Sequence, residues 1–391
     1  MRITYVFVLL IPYIVLRLYM SDDNNEHIYL KQKYIDDITI QQLSGTYFTL
    51  EDDWILINKE FSLKNKIIIY KPNNDILAIL YKNAIPLELC NIAVEKYNKT
   101  SKFISTNRGN AAGSQHRNIK ESSIRRYEKG IASNSTIIGY IDSSNHKRPC
   151  RLTSFSKNYY KNYIDGLIFI KSIDKCFQKC LPDIHKLQYE TLKNNASDFQ
   201  IDNTAFSTVT INYNFQTALH KDSGDFKDGF GNLVVCERDV EGGEILFPQY
   251  KVGIKVETGD FLAMDVHEWH CNNKINYINE IGYRLSFVCY YREKMKLCNI
   301  INKNIMNITG NLDGKSWDTE IIFKKIFELI GFNELPPKKY IDDTQTWWII
   351  DTDIVSLMYK YKRYTLYDKN KNKTIHNLVP SYNYILANYN F

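Results

Sequence analysis

The sequence has neither the paired cysteines of zinc-binding domains nor the internal repeats of solenoid proteins. Its eight cysteines are scattered, and the closest pair, Cys176 and Cys180, has the spacing of neighbours on a helix. No second pair completes a zinc knuckle, so we expect reduced cysteines, as in a cytosolic or nuclear protein. The motif YIDD occurs twice without further periodicity, which argues against a repeat architecture.

Strong charge of one sign and a full membrane span are also missing. The 50 basic residues against 44 acidic ones permit a polyanionic partner without requiring one. The apolar run from Ile3 to Leu16 is shorter than the roughly 20 residues of a membrane-spanning helix, and no small-residue cleavage site follows it. Residues 1–20 are therefore interpreted either as an anchor or signal segment, or as a stretch preceding a true start at Met20.

The remaining chain is typical of a globular protein with one large domain and extensions, or with two domains. Residues 21–100 mix short β-like runs with a helix. Residues 101–150 are polar, basic and Gly/Ala-rich, which predicts a long functional loop or a disordered insertion. Helical patterns follow over 151–200. Short strands with regular Gly-rich turns occupy 205–292 and favour an antiparallel sandwich, barrel or jelly roll.

A tail of about a hundred residues follows Lys294. It holds an amphipathic helix over KSWDTEIIFKKIFELIGF and further strands over TWWIIDTDIVSLMYKYKRYTLYDKNK. We therefore predict four segments: an apolar segment 1–20, an α+β region 21–100, a catalytic domain 101–294 and a C-terminal extension 295–391 of unknown role.

A possible metal site begins in TALHKDSGDFKDGFG. His220 and Asp222 lie two apart at the end of a predicted strand, so both side chains point to one face. About one such pair is expected by chance in a chain of this composition, so the pair needs a third ligand from elsewhere. Two histidines and one carboxylate form the facial triad of non-haem Fe(II) oxygenases.

The third ligand is sought in GDFLAMDVHEWHCNN, which offers His267 and His270. Leu262 and Met264 share the parity of His270 along a predicted strand. If the apolar residues face the interior, His270 faces it too and His267 does not, so His270 is the predicted ligand.

A predicted co-substrate clamp follows in GYRLSFVCYY, where Arg284 and Ser286 share a strand face. Arginine suits bidentate capture of a carboxylate, such as the distal carboxylate of 2-oxoglutarate, and Ser286 can add a hydroxyl donor. The alternative is an ordinary surface arginine.

Together these motifs resemble the TET/JBP family of 2-oxoglutarate- and Fe(II)-dependent dioxygenases, closest to its fungal, phage and giant-virus members. The resemblance spans about residues 103–293 and rests on TALHKDSGDFKDGFGNLVV, EGGEILFPQYKVGIKVETGDFLAMDVHEWHCNN and RLSFVCYYRE. It implies an α+β fold with a double-stranded β-helix (jelly-roll, cupin-like) core and flanking helices. It also implies Fe(II), 2-oxoglutarate and O₂, and oxidation of the 5-methyl group of thymine or 5-methylcytosine in nucleic acid, first of all DNA.

The resemblance maps site residues onto this sequence. It implies that His220, Asp222 and His270 bind iron, and that Arg284, Ser286 and Arg108 bind 2-oxoglutarate. It places Phe215 and Tyr290 where relatives stack the extruded base, and Asp225 where relatives place an Asn that bonds the base. For Phe215, Tyr290, Asp225 and Arg108 the alternative is a packing or turn role. The basic stretches 114–129 and 146–148 can contact phosphates or be solvated loops.

Two other functions stay open at this point. One is a protein hydroxylase of the prolyl or lysyl type, anchored by residues 1–20, although prolyl hydroxylases usually clamp 2-oxoglutarate with Lys in place of Arg284. The other is a non-catalytic nucleic-acid-binding remnant. A start at Met20 predicts the nucleus, cytoplasm or a viral factory, whereas retention of residues 1–20 predicts a membrane. The sequence leaves membrane attachment and the oligomeric state open.

Overall fold

A computed structural model describes residues 25–114, 131–142 and 150–298, together with parts of the C-terminal region: 339–340, 347–351, 355–360 and 363–376. Several predictions lie outside these residues. They are the apolar segment 1–20, residues 115–129 and 146–148 of the basic stretches, and the amphipathic helix 315–332.

The strands up to residue 290 are short. They are β1 (Asn25–Tyr29), β2 (Ile55–Ile57), β3 (Lys66–Tyr70), β4 (Ile76–Tyr81), β5 (Ser135–Ile141), β6 (Arg151–Leu152), β7 (Thr208–Tyr213), β8 (Gly231–Arg238), β9 (Val240–Gly242), β10 (Ile245–Phe247), β11 (Val252–Ile254), β12 (Phe261–Met264), β13 (Cys271–Asn272), β14 (Ile275–Tyr277) and β15 (Tyr283–Tyr290).

Most of the α-helices lie between β6 and β7, whereas the first two precede β5. The helices are α1 (Asp37–Gln42), α2 (Leu87–Tyr97), α3 (Ser154–Asn158), α4 (Tyr160–Asp165), α5 (Leu167–Cys180) and α6 (Pro182–Ala196). Helix α5 carries both Cys176 and Cys180, as their spacing predicts, and buries both.

Two sheets form the core of the fold. The large sheet has nine strands in the order β1-β3-β4-β12-β8-β15-β7-β5-β6, and the small sheet has the order β13-β10-β11-β2. Most neighbours are antiparallel, with β1–β3 and β2–β11 as parallel exceptions. A short β9–β14 ribbon completes this region. The sheet-rich α+β fold agrees with the predicted jelly-roll core.

Both faces of the large sheet are buried because successive side chains along a strand point to opposite faces. On β8, Val234 and Cys236 join a core shared with helices α2 to α5, whereas Leu233 and Val235 join a second core beneath the small sheet. Residues of β12 divide in the same way. The large sheet is therefore the middle layer, between helices on its outer face and the small sheet on its inner face.

The inner face of the large sheet has two chemically different halves. In the apolar half, formed by β3, β4, β12 and β8, the inward residues are aliphatic and pack on β2, β10 and β11. In the polar half, formed by β15 and β7, the inward side chains include Thr210, Asn212, Arg284, Ser286 and Tyr290. These side chains line a cavity at this half of the sheet.

Residues before 100 contribute strands to both sheets. Strand β4 pairs with β12 over Ile79 and Ala263, and β2 pairs with β11 over Leu56 and Gly253. The predicted segment 21–100 is thus continuous with the sheets of 101–294 in the structure. The functional boundary at residue 100 stays a prediction.

The expectation of reduced cysteines is wrong for one pair. Cys150 and Cys298 form a disulfide across 148 residues of sequence, next to buried Tyr291 and Met295. The six other cysteines are free and buried. Within the part of the chain that the structure describes, no helix is long and apolar enough to cross a membrane.

The C-terminal strands form a sheet of their own. It is an antiparallel meander of β16 (Lys339–Tyr340), β17 (Trp347–Asp351), β18 (Val355–Lys360), β19 (Arg363–Asp368) and β20 (Lys373–His376). The prediction of strands in this part of the extension is confirmed.

Candidate active site

Main-chain hydrogen bonds bring together the three predicted metal ligands. His220 and His270 face each other in an antiparallel bridge, with both N–O distances 3.0 Å. The amide of Asp222 donates to the carbonyl of Val266 at 3.0 Å. One ligand atom from each of His220, Asp222 and His270 lies within 4.8 Å of the others. The backbone therefore sets the spacing of the cluster.

Both imidazoles are oriented by carbonyl oxygens. Nδ1 of His220 lies 2.8 Å from the carbonyl of Ala218, and Nδ1 of His270 lies 2.9 Å from that of Glu268. With Nδ1–H donating, each Nε2 keeps its lone pair and points to the Asp222 carboxylate, at 3.7 and 3.8 Å. Metal-binding histidines in proteins are usually held in this way.

The protonation states also suit a cation. Burial and the adjacent His270 lower the pKa of His220 to about 4, so its ring is neutral at neutral pH. For Asp222, burial opposes ionisation, but His220, His270 and Arg108 outweigh it and lower the carboxyl pKa. Neutral imidazole nitrogens and an ionised carboxylate are the forms that bind a metal.

The reason that led from the sequence to His270 does not hold, although the residue lies in the cluster. Strand β12 ends at Met264, and residues 265–269 form a turn before the bridge at His270. Strand parity therefore does not extend from Leu262 to His270. His267 lies in this turn, with Nδ1 3.3 Å from Asp265, and does not join the cluster.

The cluster opens onto a cavity of about 240 Å³ in the polar half. Arg108, Asp225, Arg284, Ser286 and Tyr290 line the same cavity. Phe215 is the exception among the predicted site residues. It is half-buried in the segment after β7 and does not line the cavity, so its stacking role stays a prediction without structural support.

Arg284 is a buried cation. It is 3% exposed, which excludes an ordinary surface arginine. Its Nη2 donates to the carbonyl of Gly243 at 3.1 Å, and its Nε lies 3.3 Å from Glu237 on the neighbouring strand. Its partners therefore hold it at one end of the cavity lining.

Two buried polar atoms in this lining have no hydrogen-bond partner among the residues that the structure describes: Nε of Arg108 and Oδ2 of Asp225. Burial, reinforced by the charge of Asp222, raises the pKa of Asp225 well above its ordinary value. Buried polar groups are nearly always paired, so these atoms indicate a polar ligand in the cavity.

The sequence reasoning missed Thr210, Asn212 and Arg292, which also line the cavity. Thr210 is 3.1 Å from the Tyr290 hydroxyl, and the Asn212 amide donates to Ser286 at 3.3 Å. Arg292 donates to Asp142 at 2.9 Å. A period-two signal was present, because T-V-T-I-N alternates polar and apolar residues and Arg292 shares the parity of Arg284.

The donor set fits a first-row divalent metal that keeps open positions. Two imidazole nitrogens and one carboxylate from one side leave the cavity side free for other ligands. This is the arrangement typical of non-haem Fe(II) oxygenases.

Comparison with known proteins agrees with this geometry. Residues 136–293 match the Tet/JBP family, described as the oxygenase domain of the 2-oxoglutarate- and Fe(II)-dependent dioxygenase (2OGFeDO) superfamily. These residues are therefore a dioxygenase domain of that superfamily. Within it, the domain belongs to the Tet/JBP family, as the sequence motifs predicted.

Curated relatives match over about two fifths of the chain. The bifunctional helicase and thymine dioxygenase JBP2 of Trypanosoma cruzi is 34% identical over 159 residues, 40% of this chain and 14% of its own length. The thymine dioxygenase JBP1 of Trypanosoma brucei brucei is 32% identical over 167 residues, 42% of this chain and 20% of its own. The chain thus spans a small part of these relatives.

A solved structure of NgTET1 in complex with 5mC DNA aligns with 67% of this chain and 93% of its own, at 14% identity and a TM-score of 0.42. An overlap at this level carries no argument about substrate.

Proposed function

We propose that the protein is a 2-oxoglutarate- and Fe(II)-dependent dioxygenase that hydroxylates the 5-methyl group of a pyrimidine in DNA. The observation that carries the proposal is the His220–Asp222–His270 cluster facing a cavity that also holds the buried Arg284. The relatives named as thymine dioxygenases make thymine the first base to test.

In this proposal the cluster residues bind Fe(II) through Nε2 of the two histidines and the Asp222 carboxylate. Fe(II) with 2-oxoglutarate and O₂ supplies an oxidant able to remove hydrogen from a methyl group. Arg284 pairs with the distal carboxylate of 2-oxoglutarate, since it is a buried cation in the lining of the same cavity. Ser286, 5% exposed and on the same strand face, adds a hydroxyl donor.

The remaining lining residues are proposed to hold the base. A base inside a duplex cannot reach an enclosed metal, so it must be extruded into the cavity. Asp225 offers Oδ2 to the edge of the base, and Tyr290 presents its ring at the adjacent wall. Arg108, whose Nε has no hydrogen-bond partner among the described residues, is available to the co-substrate or to the base.

The test is a product assay with the purified full chain, Fe(II), 2-oxoglutarate and duplex DNA. Thymine-containing and 5-methylcytosine-containing duplexes are compared with a duplex in which uracil replaces thymine, because uracil lacks the methyl group. We expect a hydroxymethyl base, detected by mass spectrometry, together with succinate. The variant His220→Ala should form neither product.

A different pattern of products would reject a DNA substrate. Succinate formed at the same rate with and without a methylated base, and no modified base, would reject a DNA substrate while retaining the dioxygenase. Hydroxylated lysine or proline in a peptide substrate would then favour a protein hydroxylase.

A further inference from the structure

The turn 265–269 supports two of the three cluster residues. The carbonyl of Glu268 accepts from Nδ1 of His270 at 2.9 Å, and the carbonyl of Val266 accepts from the amide of Asp222 at 3.0 Å. A displacement of this turn would therefore move His270 and Asp222 together, away from His220. Whatever holds the turn controls the geometry of the cluster.

A lysine from outside the matched domain holds this turn. Lys71 follows β3, and its Nζ lies 3.0 Å from Asp265 and 3.3 Å from Glu268. The three side chains are only 12%, 17% and 14% exposed. The β3–β4 hairpin also bonds the turn through its backbone, since the amide of Asp265 donates to the carbonyl of Leu77 at 2.9 Å.

The charges explain why a cation is needed there. Asp265 and Glu268 are two half-buried carboxylates on one short turn, and they repel each other unless a cation lies between them. Burial opposes the charge on Lys71, yet the two carboxylates raise its pKa above the ordinary value, so it stays protonated. Removing one partner from such a buried group leaves charges uncompensated, which is strongly unfavourable.

We propose that Lys71 is a positioning residue for the metal site, holding the 265–269 turn so that His270 and Asp222 remain opposite His220. The inference rests on the proposed function only in taking the cluster as a metal site. It places part of the active-site support in a hairpin that precedes the matched residues 136–293.

The experiment measures metal affinity and does not depend on turnover. Co(II) is titrated into the metal-free full chain and followed by its visible absorption. Lys71→Met removes the charge at similar length, and Lys71→Arg restores it. The matched control is Lys82→Met, because Lys82 lies beside the same hairpin and is 7% exposed. Among the contacts described, its Nζ donates only to the carbonyls of Lys59 and Ser62.

We expect Lys71→Met to weaken Co(II) binding by about tenfold or more, the size of effect seen when outer-shell partners of metal ligands are removed. Lys71→Arg should recover most of the affinity. Lys82→Met should stay within about twofold of wild type, even where thermal unfolding shows a similar loss of stability.

Three outcomes would overturn the proposal. If Lys71→Met and Lys82→Met lost equal Co(II) affinity, Lys71 would only stabilise the hairpin and would not position the metal ligands. Unchanged affinity in Lys71→Met would show that the turn is held without it. If wild type binds no Co(II), the metal site itself fails. If the wild type bound Co(II) tightly but formed no modified base, only the proposed DNA substrate would be refuted.

Discussion

The two halves of the inner face of the large sheet differ in what they bury and in what they do. The apolar half packs aliphatic residues such as Ile69, Leu80 and Val235 against the small sheet. The polar half, on the neighbouring strands β15 and β7, buries Arg284 and Asn212 beside a cavity. One continuous sheet thus provides stability on one side and binding groups on the other, and substitutions in the two halves should have separable effects.

The largest effect is expected from Asp222→Ala, which removes the carboxylate of the cluster. Metal affinity should fall more than about 100-fold, beyond the loss seen for outer-shell partners, and product formation should cease. Asp228→Ala, an exposed acid in the same loop, is the matched control and should retain both. Co(II) titration and the base-product assay provide the measurement. If Asp222→Ala retained turnover, the cluster in the polar half would not be the metal site.

Arg284→Gln should have the next largest effect, because it removes the buried cation of the polar half. Hydrogen bonds to charged groups contribute about 1.5–3 kcal/mol, which corresponds to a rise of roughly 10- to 150-fold in the KM for 2-oxoglutarate. The control is Arg238→Gln, since Arg238 lies at the end of the adjacent strand with its side chain 55% exposed. Similar KM values for both variants would contradict the predicted clamp.

Leu80→Ala tests the apolar half. Leu80 is fully buried between the sheets, and its truncation should lower the free energy of unfolding by about 2–5 kcal/mol. Denaturant unfolding measures this loss, and Leu63→Ala, fully exposed in the same region, should cost little. Well below the unfolding temperature, KM for 2-oxoglutarate should be unchanged. A change in the KM for 2-oxoglutarate in Leu80→Ala, without a loss of stability, would contradict the prediction that the two halves act separately.

The smallest effect is expected from Asp225→Asn. Burial raises the pKa of this carboxyl, so a neutral amide removes little charge and keeps the hydrogen-bonding capacity. The KM for DNA should change by less than about threefold, whereas Asp225→Ala should raise it about tenfold, the cost of one lost hydrogen bond. Equal losses in Asn and Ala variants would mean that the site requires an ionised carboxylate.

Local periodicity explains what was predictable about the site. His220 with Asp222, and Arg284 with Ser286, each lie two residues apart, so a strand or its extension places them on one side. The same periodicity contains Thr210, Asn212 and Arg292, which the sequence reasoning did not use. The clamp roles of Arg284 and Ser286 stay predictions, as do the base-binding roles of Asp225, Phe215 and Tyr290.

Other features depend on pairing between distant segments. The Cys150–Cys298 disulfide joins residues 148 apart, and the ion pair of Lys71 with Asp265 joins residues 194 apart. His270 was located correctly within the cluster, but by a strand parity that the turn at 265–269 interrupts. No local pattern reports which turn packs against which hairpin.

By itself the sequence determined the alternation of side chains, the jelly-roll character of 205–292 and the motifs of the Tet/JBP family, because these follow from backbone periodicity and local residue order. Only the tertiary structure decided that residues before 100 complete both sheets, that Arg284 is paired with Glu237, and that Lys71 supports the turn before His270. Those contacts are made between strands and turns that are distant in sequence and come together only when the sheets assemble.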